Sequence, residues 1–301
     1  VILSESALTE SRQGPESVMK RMADLITQVI TKSGVLKSEI GGLGISAPGV
    51  IDLETNSTKL LINLHGGWRD VPVGDRLSDY LDLEVSMLND VRAITFGEWA
   101  FGAGKGVDSM ACFAIGTGVG GGLVVNNQLV LGFGGTAGEL GHQTVELNGP
   151  LCGCGNYGCV EVFSSGPAIA AEADRGVRQG WSTKIVDLIG NDLNKLTPKI
   201  VAEAAEMGDE FALYVWERAG RYLGIGIANI LTSVGVKRVV IGGGVGKAGH
   251  LLLDPIRREV NKHVFLMPIE KVEIVSTKLG SDAGILGMAA WSARQHGIEI
   301  F

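Results

Sequence analysis

Apolar positions along the chain settle first into a helical period. Val18, Met22, Leu25, Ile26, Val29 and Ile30 recur at helical spacing, which predicts an amphipathic helix over 15–33 closed by Gly34. Short apolar runs at 43–45 and 85–88 read as buried strands, the second leading straight into a helix over 91–101. A hairpin pattern follows: a strand at 110–115, a glycine turn, a strand at 122–125, a tight turn at Asn126-Asn127 and a strand at 129–131. Beyond Pro167 the helical period dominates, over 167–175, 183–189, 198–207, 210–233, 251–264 and 283–296, with strands at 239–241 and 272–275. Strands feeding helices predict an α/β protein with mixed sheets.

Composition narrows the class. The 301 residues are 45% hydrophobic, enough for two domains or one large one. The net charge is −7 and no basic run occurs, which argues against nucleic acid as the main partner of this segment. The first residues lack the basic and apolar regions of a signal peptide. The most apolar stretch, 223–236, is short and broken by Asn229, Thr232 and Ser233, so it should not span a membrane. Glycine is abundant, 45 against 8 prolines, and clusters at the ends of predicted strands, as turns within a folded body do.

The densest chemistry is a run of eight residues, Cys152-Gly-Cys154-Gly-Asn-Tyr-Gly-Cys159, with His142 upstream and Glu161 just after. Three thiolates and one imidazole make a complete Cys₃His set for zinc. The alternative is three reduced thiols packed as small hydrophobes. Reduced, ligand-like cysteines suit the cytoplasm. At the end of strand 85–88, Asn89-Asp90 stands where ligands gather in open α/β sheets, so Asp90 is placed to meet a substrate hydroxyl or to cap the next helix. The turn Gly116-Thr117-Gly118 offers backbone amides to phosphate oxygens, or is a plain hairpin turn. Gly242-Gly243-Gly244, between a strand and a helix, allows close approach by a nucleotide or tight packing.

In order along the chain stand Gly44-Ile-Ser-Ala-Pro-Gly49, Asn89-Asp90, Ile115-Gly-Thr-Gly118, Gly138-Glu139-Leu-Gly141-His142, the cysteine run through Glu161, and Gly242-Gly243-Gly244. This set closely resembles the ROK family of bacterial sugar kinases and sugar-responsive repressors, over nearly the whole chain. The resemblance implies a two-lobed, actin-like ATPase (ribonuclease H-like) α/β fold with a cleft between the lobes. It implies Asp90 as catalytic base, Asn89, Glu139, His142 and Glu161 as sugar ligands, and Cys152, Cys154, Cys159 and His142 as ligands of a structural zinc. Thr117 and Gly118 would form a phosphate loop, and Gly242, Gly243 and Gly244 part of the adenosine site. Family kinases also open with an Asp-x-Gly-Gly-Thr phosphate loop. Nothing like it precedes Val1-Ile-Leu, so the chain is expected to start about one hairpin late. The segment from Asn63 to Trp68 is one residue longer than the family pattern, with Asn63 a further sugar-lining candidate.

The expected activity is ATP-dependent phosphorylation of a hexose, foremost glucose to glucose 6-phosphate, with Mg²⁺ and ATP, in a cytoplasmic homodimer. An N-acetylmannosamine kinase, or the sugar-sensing core of a repressor with an upstream helix-turn-helix, are the alternatives. A zinc-thiolate redox or interaction module without catalysis is a third class. The small lobe is expected over 1–108 and 282–301, the large one over 109–281. Cys112 should be core, Trp99, Trp216 and Trp291 packing residues, and His65, His250, His263 and His296 surface residues.

Overall fold

The computed structural model describes every residue except Ile62, Asn63, Gly66, Glu299 and Phe301. The Asn63 expectation therefore lies outside the described residues. The chain divides into two compact units: Val1–Lys105 with Leu129–Ala137 and Ser281–Phe301, and Gly106–Gln128 with Gly138–Gly280. The stretch Leu129–Ala137, expected in the larger lobe, groups with the first unit.

In the first unit, helix α1 (Pro15–Ser33) starts on a proline, whose missing N–H is harmless at a first helical position, and ends at Gly34 in the left-handed conformation. Strand β1 (Leu43–Ala47), the antiparallel pair β2 (Val50–Asp52) and β3 (Ser57–Leu60), helix α2 (Val73–Leu81), strand β4 (Val85–Asn89) and helix α3 (Asp90–Phe101) follow. Strands β1 and β4 pair in parallel, with Ala47 level with Asn89. Ile45, Ile51, Trp68, Leu77 and Met87 fill the core beneath α1 and α2. The sequence reading leaves β2, β3 and α2 unassigned. Runs of three and four residues are too short to show alternation.

The second unit opens with the hairpin β5 (Met110–Ile115) and β6 (Val119–Val125), and the short strand β7 (Gln128–Leu129) lies beyond it. Helices α4 (Glu161–Ser164), α5 (Gly166–Arg178), α6 (Ile185–Ile189), α7 (Pro198–Glu206) and α8 (Glu210–Val234) lead to β8 (Arg238–Gly242). Then come α9 (Gly243–Gly246), α10 (His250–His263) and β9 (Glu273–Ser276). One five-stranded sheet runs β7-β6-β5-β8-β9, antiparallel between β5 and β6 and parallel from β5 to β9. Strand β6 begins three residues before the predicted start at 122, because Val119, Gly120 and Gly121 continue the ladder with β5. Cys112 is fully buried in this sheet.

Helix α11 (Ala283–Gln295) returns to the first unit and packs on α3. The backbones meet at glycines: a Cβ on Gly287 would stand 1.8 Å from the Ala93 carbonyl oxygen, and one on Gly97 2.2 Å from that of Ala283. Phe96 meets Trp291 edge-on at 5.7 Å. Trp99, Trp216 and Trp291 are all buried packing residues. His296, expected on the surface, is half-buried: its Nδ1 lies 2.9 Å from Glu84, and its other ring nitrogen is enclosed near Gly42. Among the described residues no helix is long and apolar enough to cross a membrane.

The glycine crossing holds the helix whose first residue is Asp90. Gly287→Ala is expected to destabilise the protein by about 2 kcal/mol or more, since backbone must move to admit the methyl group. Gly284→Ala, one turn earlier, meets only the Ile94 side chain at 3.8 Å and should be neutral or slightly stabilising. Thermal unfolding of the two variants beside the parent checks this; equal melting temperatures would contradict it.

Candidate active site and metal centre

The cysteine run folds as a knuckle. The Cys152 amide donates to the Asn156 carbonyl at 2.7 Å, and the Gly155 amide returns to the Cys152 carbonyl at 2.9 Å. Backbone bonds from Val145 to Gly158 (2.8 Å) and from Val160 to Gln143 (3.0 Å) zip the segment after His142 against the segment around Cys159. One donor atom from each of His142, Cys152, Cys154 and Cys159 comes within 4.8 Å of all the others. The Cys154 and Cys159 sulfurs are 3.8 Å apart, and His142 Nδ1 is 3.6 Å from Cys152 Sγ. Around a tetrahedral zinc, with Zn–S about 2.3 Å and Zn–N about 2.0 Å, two sulfurs stand about 3.8 Å apart and a sulfur and nitrogen about 3.5 Å. The donor set fits that ion, with Nδ1 as the imidazole ligand.

Burial pushes the Cys152 thiol up to about 12 and also raises Cys159, whereas at Cys154 burial is outweighed by hydrogen bonds from the Asn156 amide and the neighbouring thiols, which lower it. A cation among the three would favour the thiolate form of each. Four protein donors leave such an ion no open position, which makes its role structural.

The segment carrying Glu139 and His142 is pressed onto β6. A Cβ on Gly141 would fall 1.8 Å from the Val119 carbonyl oxygen, so only glycine permits this approach. Glu139 is exposed, and its carbonyl accepts the His142 amide at 3.0 Å in a single 3₁₀ turn. Glu161 opens α4 beside the cysteines. Its Oε2 accepts the Val119 amide at 2.9 Å, and its Oε1 lies 3.5 Å from Cys152 Sγ. Four of the predicted residues thus share one region of the second unit with Glu161, while Glu139 sits one turn from His142.

The Gly116-Thr117-Gly118 turn joins β5 to β6. The Gly116 amide donates within the turn to the Gly118 carbonyl at 2.8 Å, and the Gly116 carbonyl accepts the first amide of α5, from Gly166, also at 2.8 Å. Val119 is engaged by Glu161. The amides of Thr117 and Gly118 and the exposed Thr117 hydroxyl are what the turn can offer an anion. Gly242 ends β8. Gly243 has φ +81° and packs so closely on Ile115 that a Cβ would lie 2.2 Å from its carbonyl oxygen, whereas Gly244 faces open space. Gly243 is thus fully accounted for by packing; Gly244 leaves room for a ligand.

Asn89 and Asp90 belong to the first unit. Asn89, not Asp90, caps α3: its Oδ1 accepts the amides of Val91 (3.0 Å) and Arg92 (3.2 Å), and its Nδ2 donates to the Gly49 carbonyl at 3.0 Å. Asp90 takes the first helical position, half-buried, with Oδ1 receiving the Val91 amide at 2.9 Å. Burial, opposed by the Val91 amide, raises its carboxyl above the ordinary value. The sequence reading overlooked Arg92. It is buried on α3 and donates twice to the Ala137 carbonyl, at 2.8 and 2.6 Å, tying the first turn of α3 to the segment Leu129–Ala137. Its signal was the one cationic residue in a mostly apolar helix.

A family model described as ROK family matches residues 2–295. The chain is 36% identical over 288 residues to a glucokinase of Halalkalibacterium halodurans, covering 95% of this chain and 86% of that protein. It is 29% identical to a xylose repressor of Caldicellulosiruptor bescii, covering 96% of this chain and 72% of the repressor. Among solved structures, a ROK family glucokinase from Streptomyces griseus, in complex with glucose and AMPPNP, matches with a TM-score of 0.77 and 31% identity over 92% of this chain and 88% of that one. The fold is the mixed α/β actin-like ATPase fold of these proteins.

The donor spacing predicts one zinc per chain in protein purified without added metal. X-ray absorption at the zinc edge should give three sulfurs at about 2.3 Å and one nitrogen at about 2.0 Å. A metal-free protein with three freely titrating thiols would contradict the assignment.

Proposed function

The chain belongs to the ROK family, and from that premise we propose that it is an ATP-dependent hexose kinase converting glucose to glucose 6-phosphate. The observation that carries this is the division of labour at the start of α3. Asn89 serves the helix as cap through two amides, and the Asp90 carboxylate shares only one of them, that of Val91, so the cap does not depend on it. Its raised pKa makes it a better proton acceptor than an exposed aspartate. The likeness to glucokinases over most of the chain supports glucose as the acceptor.

In this reading Asp90 accepts the proton of the attacking sugar hydroxyl. Glu139, Glu161 and the second ring nitrogen of His142 receive or donate the hydrogen bonds that orient the other hydroxyls, with Asn89 beside the base. Charge-assisted bonds of this kind contribute roughly 1.5–3 kcal/mol each. Cys152, Cys154, Cys159 and His142, through Nδ1, would hold a zinc ion whose contribution would be restraint of the loop rather than chemistry. ATP enters as its Mg²⁺ complex, its phosphates on the Thr117 and Gly118 amides and its adenosine near Gly244. Phosphoryl transfer needs little beyond this positioning, charge stabilisation and one proton acceptor. The thiolate set and the ATP requirement suit the cytoplasm.

Two neighbouring readings have support. Hexosamines share the hydroxyl pattern that carboxylates read, so N-acetylmannosamine is the alternative acceptor. The likeness to a xylose repressor supports a sugar-sensing core without turnover. A phosphorylation assay over a panel of hexoses and hexosamines separates all three. Glucose should be the preferred acceptor; sugar binding without turnover on any of them would favour the sensor.

Asp90→Asn is expected to lower kcat on the order of 10²–10⁴-fold with sugar affinity largely kept, since asparagine preserves the shape but cannot take the proton. In the parent enzyme Asp90 must be ionised to act. Its raised pKa therefore places the acid limb of the kcat profile above the ordinary aspartate value of about 3.9. That limb should vanish in the variant. Unchanged kcat, or an acid limb that survives in the variant, would remove Asp90 from the base role.

A further inference from the structure

Glu161 makes a contact that sugar binding does not require. Its Oε2 accepts the Val119 amide across 42 residues of sequence and lies against Gly118, where a Cβ would stand 2.4 Å from it. Both partners belong to the end of the Gly116–Gly118 turn. The start of that turn is anchored separately, by the Gly166 amide on the Gly116 carbonyl at 2.8 Å. One carboxylate oxygen therefore holds the far end of the turn. The other oxygen, Oε1, faces Cys152 Sγ at 3.5 Å. A zinc-bound thiolate has no proton to donate, so with the metal in place Oε1 is available to a hydroxyl.

We propose that Glu161 is a positioning residue for the phosphate-binding turn, holding the Thr117 and Gly118 amides in place whether or not sugar is bound. This rests on the kinase reading, because it takes the turn to receive the phosphates. It adds to that reading a physical link within the second unit. The carboxylate offered to the sugar through Oε1 braces the turn through Oε2, and the same residue adjoins the metal knuckle. It also accounts for Gly118 on packing grounds. Its φ is not positive, so it is the carboxylate in the side-chain space, not a left-handed backbone, that favours glycine there.

Three variants separate bracing from sugar recognition. Glu161→Gln keeps an amide oxygen that can still accept the Val119 N–H. Glu161→Ala removes the acceptor. Gly118→Ala leaves the carboxylate intact but displaces it, because the methyl group would overlap the flexible end of Glu161. The measurement is calorimetric titration with ADP in the absence of any sugar, a readout that a pure sugar ligand would not move. Glu161→Ala and Gly118→Ala should each weaken ADP binding on the order of tenfold. Glu161→Gln should stay within about twofold of the parent while losing hexose affinity. Zinc content and melting temperature, measured alongside, identify any variant that has lost the fold, and Gly118→Ala stands as the test if Glu161→Ala is one of them. ADP binding equal to the parent in Glu161→Ala and Gly118→Ala overturns the bracing role and leaves the kinase reading intact. So does Glu161→Gln losing as much as Glu161→Ala. A parent chain that binds no ADP overturns the kinase reading, and the inference with it.

Discussion

Four donor atoms gathered within 4.8 Å are the constraint on which the second unit's chemistry depends. Cys152, Cys154 and Cys159 lie in a glycine-rich knuckle whose ends, Cys152 and Cys159, are buried, while Leu147, Leu151, Cys154 and Tyr157 in and beside it are exposed. The exposed part of such a loop has little apolar burial to keep it in one conformation. A metal would supply that restraint, because ligand binding free energy is folding free energy where the site forms only in the folded chain. With a metal bound, His142 would carry the restraint from the knuckle to the 3₁₀ turn that starts after Glu139, and Cys152 and Cys159 would carry it to Glu161. Both candidate sugar carboxylates are thus short, stiff distances from one coordination centre.

Close backbone approach supplies the rest of the precision. Gly141 lets the Glu139–His142 turn lie on β6, and Gly118 lets Glu161 lie on the end of the hairpin turn. In the first unit the same device sets α3 against α11 through Gly97 and Gly287, and Asn89 caps the end that presents Asp90. A protein with 45 glycines uses several of them to bring polar segments into register without filling the space with side chains. Phosphoryl transfer rewards this economy, since its catalysis is largely positioning.

Much of this was legible in the sequence because the signals were local. The cysteine spacing with His142 picked out four donors that the fold does bring together. Long periodic helices such as α1 and α8 were found close to their ends. What stayed hidden depends on partners distant in sequence. Strands β2 and β3 are too short for periodicity to speak, whereas α2 carries a helical period in Val73, Leu77 and Leu81 that the reading passed over. Strand β6 starts at Val119 because β5 pairs with its glycines, which propensity alone disfavours in a strand. Whether Asp90 caps its helix could not be read from Asn-Asp alone; the hydrogen bonds of Asn89 answer it. His296 looked like a surface residue until Glu84 and Gly42 were seen beside it. Arg92 looked like an ordinary helix residue, and its carbonyl partner Ala137 lies 45 positions away.

The claim that ties these observations together is that the metal knuckle holds the sugar carboxylates in their working geometry. The most direct measurement is calorimetric titration of glucose into zinc-loaded protein and into the same protein after metal extraction, with zinc added back to a third sample. The account predicts that extraction weakens glucose binding at least tenfold and that zinc restores it. Equal glucose affinity in the loaded and metal-free proteins would contradict it, leaving the cluster without influence on the site it adjoins.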